Sequence, residues 1–83
     1  MSMFFFTYRA ATQARMGASI LRGQGIPVKL GRSPARISRN GCGYGLTVPE
    51  SRGREAAELL KARGQPYTRS YRMEGDRIRE VAL

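Results

Sequence analysis

The chain has no histidine, no tryptophan and a single cysteine, Cys42. Histidine is the usual general base and the commonest metal ligand, and one thiol can form neither an internal disulfide nor a thiolate metal cluster. The sequence therefore implies no metal and no cofactor. Ser33, Ser38 and Thr47 have no imidazole to activate them, which leaves a serine-type hydrolase without its base. Long apolar runs are missing too: the longest, residues 3–6, is closed by Thr7, Tyr8 and Arg9, far short of the roughly 20 residues a membrane helix needs. The opening residues lack a signal peptide's basic start and apolar core. These absences predict a cytoplasmic protein in a reducing compartment with no membrane partner.

Acidic residues are scarce and late. All six (Glu50, Glu55, Glu58, Glu74, Asp76 and Glu80) lie beyond residue 49, so the first 49 residues hold seven basic side chains and no acid. The net charge is +9, nearly all of the basic excess being arginine. Such a balance attracts phosphates or an acidic protein at long range, and it equally describes a solvated surface. At 83 residues the chain has material for one domain with one thin core.

What is present reads as alternating strands and helices. Residues 3–8, with three consecutive phenylalanines, suit a central strand buried on both faces. A helix follows, with Thr12 as its expected N-cap and Ala14, Gly17, Ala18 and Leu21 at helical spacing, ending at Gly23 and Gly25. Gly17 costs about 1 kcal/mol against alanine there unless close packing requires it. Residues 27–30 read as a second strand, 31–43 as an ordered loop without period, and 44–48 as a third strand. A second helix starts near Ser51, faces inward with Ala56, Ala57, Leu59 and Leu60, and stops at Gly64; residues 67–73 make a fourth strand. After the turn signal Glu74-Gly75-Asp76, the tail fits either a helical turn or a hairpin strand.

The two halves repeat. Ala18, Ile20, Leu21, Arg22, Gly25, Pro27 and Val28 recur 39 positions later as Ala57, Leu59, Leu60, Lys61, Gly64, Pro66 and Tyr67. Two βαβ units in tandem predict a ferredoxin-like βαββαβ α+β fold over residues 1–73: a four-stranded antiparallel sheet with both helices on one face and a pseudo-twofold axis. Residues 74–83 form a C-terminal extension.

The expected hairpin loop between strands two and three runs about a dozen residues, where such loops need about 2–5. It holds Arg32, Arg36 and Arg39, then Gly41-Cys42-Gly43. Flanking glycines clear the space around the sulfur and let backbone amides turn toward an anion. A free cysteine is also commonly an inert small hydrophobe, so the loop alone leaves both readings of Cys42 standing. An RNA-recognition module would place stacking aromatics on strand three. Of that motif, laid on residues 40–47, only Gly41, Gly43 and Tyr44 fit, and Cys42 occupies a stacking position.

The runs Gly25-Ile26-Pro27-Val28-Lys29-Leu30, Pro34-Ala35-Arg36-Ile37-Ser38 and Gly41-Cys42-Gly43 resemble the selenium/sulfur carrier-like family of small bacterial proteins, over about residues 4–73. The resemblance implies that Cys42 carries the chalcogen as a persulfide or perselenide, with Gly41, Gly43, Pro34, Ile37 and Ser38 shaping its loop. It implies a carrier rather than a turnover enzyme. Its partners would be a cysteine desulfurase or selenium donor protein and an acceptor protein. Arg32, Arg36 and Arg39 would favour the thiolate, and no acid lies within seven residues of Cys42 to oppose them. Two other readings follow from the charge and the fold: a basic module binding RNA or an acidic protein, with Cys42 incidental, and a small-ligand domain assembled as a homodimer through its sheet edges.

Arginines without stacking aromatics supply phosphate contacts and little base readout. Any nucleic-acid binding is therefore expected to be weak, indifferent to sequence and steeply salt-dependent in a fluorescence titration. Tight binding of one RNA at physiological salt would contradict this.

Overall fold

The computed structural model describes residues 2–38 and 43–83, and of Ser38 the backbone alone. The chain folds as an α+β domain, in the order β1 (Ser2–Tyr8), α1 (Ala11–Gly23), β2 (Lys29–Arg32), α2 (Ala35–Ser38), β3 (Tyr44–Pro49), α3 (Gly53–Ala62), β4 (Arg69–Glu74) and β5 (Arg77–Glu80). A 3-10 turn, Glu50–Arg52, leads into α3. The strands form one sheet in the order β2-β3-β1-β4-β5, every neighbouring pair antiparallel.

β1 occupies the centre and is buried on both faces, as its phenylalanine run predicts. Phe6 and Tyr8 point to one face and Phe5 and Thr7 to the other, because side chains alternate along a strand. On the first face, Phe6, Tyr8, Leu46 and Val48 pack against Ala14, Ala18 and Leu21 of α1 and Ala56, Ala57 and Leu60 of α3. Both long helices therefore cover the same face. Gly17 lets α1 approach closely: a Cβ there would lie 3.0 Å from Leu46 Cδ1 and from Tyr8 Oη, and 3.2 Å from Leu60 Cδ2. The Tyr8 hydroxyl passes this point to donate to the Gln65 carbonyl at 2.6 Å. Burial, with Tyr67 adding, pushes its phenol well above the usual tyrosine range.

The internal repeat appears as matched helix ends. Leu21 O accepts from the Ile26 amide at 3.0 Å, and 39 residues later Leu60 O accepts from the Gln65 amide at 2.9 Å. Gly25 and Gly64, also 39 apart, take φ of 74° and 79°. Such a left-handed residue closes a Schellman cap, and glycine adopts it without a Cβ penalty.

Four expectations need correction. The sheet has five strands, not four: Gly75, at φ 61°, turns the chain back, and β5 pairs with β4 from Tyr71↔Glu80 to Glu74↔Arg77. The extension 74–83 is thus joined to the sheet. It is secured further by a pair of bonds between Ser70 and Val81, in which the Val81 amide donates to Ser70 O at 2.9 Å and Ser70 Oγ donates to Val81 O at 2.6 Å. Lys61 Nζ and Tyr67 Oη both donate to Leu83 O. Thr12 lies inside α1; the N-cap is Ala10, which makes no side-chain cap bond. β2 begins at Lys29 and β4 at Arg69, each two residues later than expected, after the helix caps and Pro27 and Pro66. The stretch expected to be loop contains the last residues of β2 and the one-turn helix α2.

Gly31 and Gly45 face each other across β2 and β3, yet their surroundings differ. A Cβ on Gly45 would lie 2.5 Å from Phe6 O and collide with the edge of the Phe5 ring, whereas one on Gly31 meets nothing among the described residues within 4 Å. Gly45→Ala is expected to lower unfolding free energy by about 2–3 kcal/mol in urea denaturation, and Gly31→Ala to stay within about 0.5 kcal/mol of the parent.

Candidate functional site

The loop that bears Cys42 is best built from its stem. β2 ends at Arg32, whose register partner on β3 is Tyr44, itself paired with Tyr8 of β1. One residue further on, the Ser33 amide donates to the Gly43 carbonyl at 3.0 Å, closing the loop at the end of the sheet where β1 hands over to α1. Pro34 then sets up a single helical turn, and the Ile37 amide donates back to Pro34 O at 2.9 Å. Proline suits that position because its missing N–H would have no helical partner there.

The helical turn has one large apolar side chain and buries it. Ile37 is 2% exposed and packs with Phe5 and Tyr71, while Met73 and Ile78 lie against the same cluster. These side chains stand on the face of the sheet that the two long helices leave open. Beside Ile37, the Arg36 guanidinium reaches the hairpin between β4 and β5, where Nη1 donates to Asp76 O at 3.1 Å. Glu74, Gly75, Asp76 and Arg77 line the shallow depression that Arg36 enters.

The structure thus brings Pro34, Ile37 and the Ser38 backbone into one turn and joins Gly43 to Ser33. It separates the arginines: Arg32 is exposed on edge strand β2, and Arg36 is engaged at the far hairpin. Arg39, Gly41 and Cys42 lie outside the described residues, as does the Ser38 side chain. Sequence reasoning did not single out Ile78 or the Asp76 carbonyl as supports of this loop. The only available signal was Ile37 itself, a lone large apolar residue among Pro, Arg, Ser and Asn. Ser33, in the sequence a nucleophile without a base, has a buried Oγ with no hydrogen-bond partner among the described residues.

Among the described residues, no group of three or more His, Cys, Asp or Glu side chains could hold a metal ion, and no helix is long and apolar enough to cross a membrane. The family model described as "Putative Se/S carrier protein-like" matches residues 3–72. The chain belongs to that family. The Se/S carrier-like match covers β1 through most of β4, including the entire Cys42 loop, and stops before β5. No curated protein and no solved structure matches the chain.

A solvated loop tolerates truncation of its side chains, but Ile37 fills a core position. Ile37→Ala is expected to cost about 2–4 kcal/mol of unfolding free energy in urea denaturation; a change under about 0.5 kcal/mol would mean that the loop does not cover this face.

Proposed function

We propose that this chain is a sulfur or selenium carrier, holding the chalcogen on Cys42 and passing it to an acceptor protein, and not a turnover enzyme. The observation that carries the reading is the family match over residues 3–72, which spans the loop and the chain's one thiol. The chemistry is thiolate exchange. The Cys42 thiolate attacks the outer sulfur of a donor's cysteine persulfide, the donor S–S bond breaks, and the donor cysteine leaves as a thiolate. Cys42 then bears the transferred sulfur, and an acceptor nucleophile removes it by the reverse attack, releasing Cys42. No external oxidant or reductant enters. A selenium donor would follow the same course.

Exchange needs a partly ionised sulfur, since a thiol near its ordinary pKa of about 8.5 is mostly protonated at neutral pH. The uninterrupted positive charge of the first 49 residues favours the anion. A cytoplasmic, reducing setting would keep the thiol free for each cycle. We read β1–β4 with α1 and α3 as a ferredoxin-like unit to which β5 is an edge addition. That reading is supported by the antiparallel order β2-β3-β1-β4 and by the two long helices on one face.

Intact mass spectrometry after incubation with a cysteine desulfurase and cysteine tests the proposal. The expected result is a gain of one sulfur, about 32 Da, that is reversed by reductant and absent in Cys42→Ala. An unchanged mass, or the same gain in the variant, would overturn it.

A further inference from the structure

The hairpin formed by β4 and β5 begins inside the family-matched stretch and ends outside it. Its outer half bonds the Cys42 loop at one point and flanks, at another, the apolar cluster in which the loop's Ile37 is buried. Asp76 O, in the turn, accepts from Arg36 Nη1 at 3.1 Å. Ile78 of β5 lies beside Met73, its register partner, against the cluster in which Ile37 is buried. Arg36 and Ile37 are adjacent on α2, so one helical turn is held by a charge-assisted hydrogen bond and by an apolar contact. The loop's stem is fixed separately, at Ser33 and Gly43.

We propose that the turn and β5 form a docking platform that positions the loop carrying Cys42, with Arg36, Asp76 and Ile78 as positioning residues. This inference rests on the carrier reading for its purpose but not for its geometry. Without the platform, α2 is a four-residue helix, far too short to persist alone in water. Its order must come from what it packs on. The stem leaves the sheet at the Tyr8 end of β1, while the platform lies beyond the Ser2 end, where Ser2 pairs with Glu74. From Ser33 at the stem to Arg36 at the hairpin, the described part of the loop therefore crosses the open face between two anchors.

Two variants release the platform without touching the stem: Arg36→Met removes the hydrogen bond, and Ile78→Thr removes apolar contact while keeping a β-branched strand residue. Arg79→Ala is the control, because Arg79 lies on the same strand but points to the opposite face. Amide hydrogen exchange reports the docking directly through the Ile37 amide, which is protected by its bond to Pro34 O. Exchange at Ile37 is expected to quicken about three- to tenfold in each of the two variants, with β1 amides and Arg79→Ala unchanged. Sulfur loading of Cys42 by a cysteine desulfurase is expected to slow about twofold or more in the same two variants.

Unchanged Ile37 exchange in both variants would overturn the proposal. So would equal acceleration at β1, the mark of general destabilisation, or loading at the parent rate from a released loop. A parent chain that takes up no sulfur removes the carrier reading instead, and the exchange rates still decide whether the platform holds the loop.

Discussion

A central strand with aromatic rings on both faces imposes the condition that shapes this molecule. Phe6 and Tyr8 project to one side of β1 and Phe5 to the other, and all three are almost fully buried. Burying a phenylalanine is worth about 1.5–3 kcal/mol, so a face left open to water forfeits a large share of a small domain's margin. The chain has two long helices, and the repeat that generates them places both on the Phe6 face. The Phe5 face must be covered by something else. The cover is the long connection between β2 and β3, which lays Ile37 against Phe5 and Tyr71. Its length, which in the sequence suggests function, thus has a structural reason as well.

The same condition explains the glycines at the sheet. Gly45 leaves room for the Phe5 ring above β3, and Gly17 leaves room for Tyr8 and Leu46 beneath α1. In each case a missing side chain on one element accommodates a large one on another. The helix-propensity cost at Gly17, about 1 kcal/mol, is offset by close packing of α1 on the sheet. Tyr8 uses the space to reach the Gln65 carbonyl just past the cap of α3, tying the first strand to the second half of the repeat.

These relations divide what the sequence discloses from what it conceals. The repeat was legible because Gly25 and Gly64 both need positive φ, a backbone requirement that marks the residue type directly. The central strand was legible from its aromatic run. α2 was not, since one turn of helix has no period to detect and its stability comes from a sheet face distant in sequence. β5 was undecided for a related reason: Ile78 and Val81 satisfy a helical turn as well as a strand, and the choice falls to pairing with β4. The start of α1 misled because a capping residue near a helix start need not be the cap; Ala10 takes the position with no side-chain bond. At the site, Pro34 stands just ahead of α2, as a local rule of proline chemistry expects, whereas Gly43 meets Ser33 through its backbone carbonyl, a contact open to any residue. The placement of Arg36 depends on a hairpin 40 residues away.

That placement sets where the charge of Arg36 acts. Most of the acids have a basic partner at the surface: Glu55 with Arg52, Glu80 with Arg69, and Glu50 and Glu74 with Arg72. Exposed pairs of this kind add little to stability, about 0–1 kcal/mol each. The positive excess is then a field around the molecule, suited to drawing in an acidic partner more than to holding the fold. Near the loop, the Arg36 guanidinium lies at the Asp76 turn, and the stem at Gly43 lies at the other end of β1. Seven strand residues separate these ends, about 20 Å at the usual rise per residue. The Debye length at physiological salt is about 8 Å, so at the Gly43 stem the Arg36 charge is largely screened. What the structure shows of Arg36 is mechanical: its guanidinium ties the helical turn α2 to the hairpin between β4 and β5.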